Sequence, residues 1–314
     1  MRLVTYTKNR QARTGAILGS HIIDLAQTSA AMGKPPLPTD MLSLLTLGPR
    51  ALATARATLR FAEANPAKAT RHPLARTRLL APVPNPHKLL ALARNYASHV
   101  VEEGERLRAK SEQSPRVFMK PPSTTINHPG APVTLSPYAR WVDWEVELAI
   151  VIGRRATNVS IADAPRYIVG YTIVNDISER DFQVWPRTVT QEWDKFFDWL
   201  NGKWADGFAP MGPCITTADE LSDPLDLRIT LAVNGKTRQD ANVNQLTFGP
   251  AELVAIISRT LTLEPGDVIA TGTPSGIGHS SGLKLKSGDT MTAEIEGIGI
   301  LENTVVRPNK KRKK

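Results

Sequence analysis

Trp141-Val-Asp-Trp-Glu-Val-Glu-Leu-Ala-Ile-Val-Ile-Gly153 is the stretch on which the reading of this chain turns. Val142, Trp144, Val146, Leu148, Ile150 and Ile152 fall on alternate positions, the period of a strand whose one face lies on an apolar core. The opposite face carries Asp143, Glu145 and Glu147, then Ala149 and Val151. Carboxylates at every second position repel one another. If the apolar end of their face is buried, the acids sit at its mouth and need a cation to stay ionised. The same pattern also describes a half-exposed strand with a solvated acidic face, and by itself it favours that plainer picture.

A second stretch, Ile168-Val-Gly-Tyr-Thr-Ile-Val-Asn-Asp176, reads as a strand ending in an acid. The residues after it, Ile177-Ser-Glu-Arg-Asp-Phe-Gln183, read as the start of a helix. An acid at a strand end is held rigidly by the backbone, a good place for a ligand. Asp176 serves equally well as the N-cap of the expected helix. Glu145, Glu147 and Asp176 together form an all-oxygen donor set. Such a set suits Mg²⁺ or Mn²⁺, with Ca²⁺ also compatible, and does not suit zinc or copper.

Working outward, the single cysteine, Cys214, rules out an intramolecular disulfide and any thiolate metal cluster, and is expected to pack as a small apolar residue. No apolar run approaches the roughly 18 residues a membrane span needs. The N-terminal MRLVTYTKNR lacks a secretory core, so a cytoplasmic protein with no membrane partner is expected. The net charge of +9 suggests nucleic acid until it is located: five charges lie in Lys310–Lys314, leaving 9 − 5 = +4 elsewhere. A terminal basic run is usually a solvated tail, and the body has no nucleic-acid-binding motif, so nucleic acid is not an expected partner.

The organisation is expected to be α+β. Residues 1–80 read as a small α/β domain: strand patterns over Leu3–Tyr6 and Ala16–Leu25 turn at Gly19-Ser20, and Asp40 caps a helix over Met41–Leu47. Gly48-Pro49 ends that helix, and Ala51–Ala64 resumes one. The proline-rich Ala81–Pro86 marks a boundary before a strand-rich domain over 87–306, and 307–314 is the basic tail. Within the larger domain, strands are expected near Leu227–Val233, Asp267–Thr271 and Thr290–Ile295, and one helix over Pro250–Leu261.

Seven motifs in order bring out a resemblance. They are Asn95-Tyr-Ala-Ser-His99-Val-Val-Glu102, Phe118-Met-Lys-Pro121, Asp143-Trp-Glu-Val-Glu147, Asn175–Gln183, Gly202-Lys203, Phe208–Pro213 and Gly266–Gly276. Together they resemble the fumarylacetoacetate hydrolase family over roughly residues 87–306. The resemblance implies a mixed β-sandwich roll and a homodimer. It also implies that Glu145, Glu147 and Asp176 hold Mg²⁺ or Mn²⁺.

His99 and Glu102 stand three apart, so on a helix they share a face and can pair. The resemblance makes them the water-activating base and the residue that fixes its tautomer. His21, His72, His87, His128 and His279 are read as ordinary histidines. The charged, glycine-containing stretch 103–114 resembles the family's lid. Lys203 is expected to offer positive charge to a substrate carboxylate or enolate, although Trp204 and Ala205 depart from the Gly-Lys-Ser-Phe-Asp of many relatives. Arg180 and Gln183, one helical turn apart in this reading, are expected to orient the acids or the substrate. Thr273 and its glycine-rich loop are expected to meet an anion.

The function implied is hydrolysis of a C–C bond in a 2,4-dioxo acid of the acylpyruvate type, through an enolate stabilised by the metal and Lys203. The alternatives are an isomerase, decarboxylase or hydratase acting on a dienedioate or 2-oxo acid of aromatic catabolism. A non-enzymatic anion-binding or nucleic-acid-associated protein acting through the basic tail remains a third class.

Overall fold

The computed structural model describes residues 1–183 and 185–307. The acid stretch folds in two pieces. Val142–Asp143 pairs with Ser178–Glu179, and Val146–Ile152 forms a separate strand after a step at Trp144-Glu145. Val146–Ile152 lies inside a 12-stranded sheet, antiparallel to Ile168–Asn175 on one side and to Val268–Ala270 on the other. Beyond Ile168–Asn175 the sheet continues through Ala209–Thr217, Arg2–Lys8, Gln11–Leu18, His21–Asp24 and Arg71–Pro73. In the other direction it passes through Leu89–Ala93 to the edge strand Arg116–Lys120. Along this path only Val268–Ala270 and Leu89–Ala93 run parallel. The N-terminal strands thus extend the sheet that carries the acids.

A second sheet of five strands, ordered Lys236–Asn242, Arg228–Val233, Thr290–Ile295, Gly299–Val306 and Val133–Thr134, covers the first. Val146, Leu148, Ile150 and Ile152 pack in one cluster with Ile229, Leu231, Met291, Ala293 and Ile295 of that layer. This is the mixed sandwich, and the apolar face of the acid strand is its interior. The other face is buried as well: Ala149 belongs to a cluster with Leu89, Ala91 and Ala270, and Val151 to one with Leu44, Leu45 and Ala55. Every residue of Val146–Ile152 is buried, so the half-exposed strand is not what folds. The helices Met41–Thr46 and Pro49–Ala64 supply Leu44, Leu45 and Ala55, and Asp40 caps the first by accepting from Ser43 N at 2.7 Å.

Three local expectations need correction. Residues 177–183 are not a helix. Their N–H groups are taken by distant carbonyls: Ile177 donates to Phe208 O, Glu179 to Gly202 O and Arg180 to Trp141 O. Tertiary pairing uses the donors that a helix would need, so Arg180 and Gln183 are not related by a helical turn. The helix expected over 250–261 ends at Ile257, because Ser258 turns its carbonyl to Asn158 N and its hydroxyl to Val159 N. Gly48-Pro49 both ends one helix and begins the next, with Pro49 in its first turn. Of the basic tail, only Arg307 falls among the described residues.

Candidate metal centre and active-site cavity

The antiparallel register pairs Val146 with Asn175 and Glu147 with Val174, so the positions just beyond the ladder, Glu145 and Asp176, face each other. Two backbone-directed bonds lock that juxtaposition: Asp176 N donates to Glu145 O at 2.8 Å, and Glu145 N to Asn175 Oδ1 at 3.0 Å. Glu145, Glu147 and Asp176 each offer a carboxylate oxygen within 4.8 Å of the others, and all three are buried. Donors on one cation with bonds of about 2.1–2.4 Å lie at most about 4.2–4.8 Å apart, so the spread fits a single Mg²⁺, Mn²⁺ or Ca²⁺.

The charges around this set are unevenly shared. Lys203 Nζ donates to Glu145 Oε2 and Asp176 Oδ2, both at 2.8 Å. Lys120 Nζ, fully buried at the end of the edge strand, donates to the other oxygen of Asp176 at 2.5 Å. Arg180 spans Asp143, at 2.8 Å, and Glu145. Burial alone would raise Glu145, but Lys203 and Arg180 overcome it and hold the carboxyl well below its usual range. Glu147 has no such cation. Its Oε2 accepts from Gly272 N at 2.6 Å, and its buried Oε1 has no partner among the described residues. Burial, with the charges of Asp176 and Glu145, pushes Glu147 well above the usual carboxyl value. A buried acid with an orphaned oxygen beside two other carboxylates is what a divalent cation would complete.

Backbone geometry fixes the neighbouring pieces. Gly202 precedes Lys203 where a Cβ would lie 2.2 Å from Glu179 O, so only glycine lets the lysine approach. Gly272 has a φ of +94° and presents the N–H that Glu147 accepts, a conformation glycine adopts without strain.

Above the carboxylates opens a cavity of about 600 Å³ lined by His99, Arg180, Lys203 and Thr273 among others. The helix Ala97–Glu102 carries the expected pair: His99 Nδ1 is 2.8 Å from Glu102 Oε1, and Glu102 Oε2 accepts from Gly276 N at 2.8 Å. Glu102 is thus anchored on both oxygens, and an Nδ1–H donated to it leaves Nε2 free of that bond. Thr273 lines the cavity, yet its hydroxyl donates to Val146 O and accepts from Gln239 Nε2, so it serves the strand it sits on. Gln183 is half-buried and lies outside the cavity lining. Asp143 belongs to a structural pair, accepting from Arg180 and from His279 N.

Sequence reasoning passed over Lys120, although it stands inside the Phe118–Pro121 motif; its contact with Asp176 spans 56 positions and has no local signal. It also passed over Tyr96, whose buried hydroxyl has no partner among the described residues and whose pKa is raised by burial and by the charge of Glu147. Nor did it single out the aromatic wall of the cavity, Phe118, Phe196 and Trp199.

Residues 88–306 match the family model described as "Fumarylacetoacetate (FAA) hydrolase C-terminal". The chain is 36% identical over 291 residues to the oxaloacetate tautomerase Fahd2a, mitochondrial, of Rattus norvegicus, covering 92% of this chain and 85% of that one. Among solved structures, fumarylacetoacetate hydrolase from Exiguobacterium antarcticum superposes with a TM-score of 0.79 at 30% identity, over 98% of this chain and 100% of that one. Maleylpyruvate hydrolase from Sphingobium sp. SYK-6, in complex with manganese(II) and pyruvate, gives a TM-score of 0.75 at 31% identity, over 98% and 100%. No helix among the described residues is long and apolar enough to cross a membrane. The rat relative's name places that protein in mitochondria, which a plain cytoplasmic expectation does not accommodate. With the family model matching residues 88–306 and relatives above 30% identity covered over most of their length, the chain belongs to the fumarylacetoacetate hydrolase family.

Proposed function

We propose that this chain is a metal-dependent enzyme of 2-oxo and 2,4-dioxo acids, and that it hydrolyses the C–C bond of an acylpyruvate. The observation that carries the reading is the buried triad Glu145, Glu147 and Asp176, which reaches a cavity through Glu145, with His99, paired to Glu102, lining the same cavity. Mg²⁺ or Mn²⁺ held by the three carboxylates would supply Lewis acidity toward the 2-oxo group and its carboxylate.

The chain's own groups account for the rest. His99 Nε2 takes a proton from water, with Glu102 stabilising the imidazolium that forms. The resulting hydroxide adds to the 4-carbonyl. The C3–C4 bond then breaks, its electron pair passing to C3 as the enolate of pyruvate, and the acyl part leaves as a carboxylic acid. The proton held by His99 returns to C3. Lys203, kept charged by Asp176 and Glu145 against the pull of burial, balances the negative charge that develops on the 2-oxo oxygen.

A second reading, keto–enol tautomerisation of oxaloacetate, is favoured by the name of the rat relative. It needs a proton moved between C3 and the 2-oxo oxygen: the same histidine gives or takes the proton at C3, and water gives or takes the one on the oxygen. One assay tests both: acylpyruvates and oxaloacetate are offered with Mg²⁺ or Mn²⁺, ultraviolet absorbance is followed and products are identified by mass spectrometry. Pyruvate plus a carboxylic acid supports hydrolysis, accelerated enol-to-keto conversion of oxaloacetate supports the tautomerase, and no metal-dependent change in either removes the oxo-acid reading. A homodimer is part of the same proposal, checked by sedimentation at about twice the 34.3 kDa chain mass.

A further inference from the structure

The cavity above the carboxylates has an aromatic side that the reaction does not use. Lys203 Nζ, bonded to Glu145 and Asp176, lies 5.5 Å from the ring centre of Phe118 and 5.9 Å from that of Trp199. Phe118 and Trp199 meet edge-on with centroids 5.1 Å apart, and Trp199 meets Phe196 at 5.9 Å and 34°. The three rings therefore form a continuous wall that starts at the metal-ligand cluster and runs to Phe196, which is 48% exposed at the mouth. Trp199 and Phe196 belong to the helix Glu192–Asn201, none of whose residues is buried. Large apolar rings on an element with no core of its own are costly to leave wet, and here they face a cavity.

The volume points the same way. About 600 Å³ is within the range that encloses drug-sized ligands and exceeds what a small oxo diacid such as oxaloacetate fills. The charges at the mouth offer a distal anion little. Arg94 is engaged by Glu103 at 2.8 Å and Glu105 at 2.5 Å, Lys195 by Glu192 at 2.6 Å, and Arg116 is exposed to screening water.

We propose that the cavity selects an oxo acid whose far arm is an uncharged planar group, an aryl ring above all, laid along Phe118, Trp199 and Phe196. The inference rests on the oxo-acid reading and narrows it: the carboxylate end is held at the metal site, and the aromatic wall chooses the arm.

The test is calorimetric binding to the Mn²⁺-loaded full chain, with pyruvate, oxaloacetate and phenylpyruvate as probes. Phenylpyruvate is expected to bind at least tenfold more tightly than pyruvate, and more tightly than oxaloacetate. Phe196→Ala and Trp199→Ala should each weaken phenylpyruvate by about 3- to 10-fold, the usual worth of one ring contact, and leave pyruvate unchanged. Phe196→Ala opens no core, since its helix buries nothing, and an unchanged circular dichroism spectrum and Mn²⁺ affinity show that each variant is folded. Equal affinity for pyruvate and phenylpyruvate, a preference for oxaloacetate, or an equal loss for all probes in both variants would overturn the inference. If none of the probes binds, the oxo-acid reading itself fails, and the inference falls with it.

Discussion

The floor and the upper wall of the cavity are built on opposite principles. At the floor, Glu145, Glu147 and Asp176 lie at the ends of central strands, buried on all sides and locked by register and by bonds from Asn175, Gly272 and Lys203. At the upper wall, His99 and Glu102 sit on a six-residue helix, and residues 104–112 after it are all exposed. That segment is tied down by ion pairs such as Lys110–Glu252, at 2.7 Å, and Arg94–Glu105. Exposed pairs of this kind contribute only about 0–1 kcal/mol each. A rigid floor suits a cation that demands fixed ligand geometry, while a lightly tethered wall suits groups that close on substrate. Under the proposed function the difference separates binding from chemistry.

The largest effect is expected at the floor. Glu147→Ala or Asp176→Ala should weaken Mg²⁺ or Mn²⁺ by more than the about 10–100-fold typical of losing an outer partner, since each removes a ligand and a charge. Calorimetry that found unchanged metal affinity in Glu145→Ala, Glu147→Ala and Asp176→Ala alike would break the comparison outright. At the wall, His99→Ala should lower turnover by about 10²–10⁴ while metal affinity stays near that of the parent chain. Glu102→Gln should move turnover the same way by less, because it still accepts a hydrogen bond without the charge. A His99→Ala chain that lost its metal would show that wall and floor are one unit.

A smaller, pH-dependent effect follows from Glu147. Its folded-state pKa lies above the usual 4.5, so in the metal-free protein its contribution to stability is present below that value and is lost as pH rises through the folded pKa. A divalent cation must displace the proton, so metal affinity should rise with pH by up to about tenfold per unit in that window. Thermal melts with and without Mg²⁺, taken at increasing pH above the usual carboxyl value of 4.5, should therefore diverge as pH rises. In Glu147→Gln the divergence should largely vanish. The smallest effect is on the segment 103–114: limited proteolysis should cut it in the free protein and be slowed severalfold by Mg²⁺ plus oxalate. Equal cleavage in both conditions would leave the wall with no closing motion.

Much of the floor was legible because alternation along a strand is a local property. Glu145 and Glu147 share a face by spacing alone, and His99 and Glu102 share one by helical period, as the 2.8 Å contact bears out. The strand Ala209–Thr217 was not legible, since Pro210 and Pro213 argue against a central strand. In the fold its pairing with Ile168–Asn175 is irregular there, stepping from Tyr171–Thr216 to Ile173–Gly212. The helix expected after Asp176 failed for a related reason, because carbonyls of residues 141, 202 and 208 took its donors.

The sequence by itself determined which carboxylates share a face, which histidine pairs with which acid, and that the chain folds as strand-rich layers. Only the tertiary structure decided that the acid face is buried, because a period of two says which residues point together and nothing about what covers them. It also decided the balance of charge: Lys120 reaches Asp176 across 56 positions and Lys203 reaches Glu145 across 58, leaving Glu147 without a cation of its own. Neutralisation depends on distance in space, and distances of a few ångströms between residues so far apart along the chain exist only once the sheet has closed.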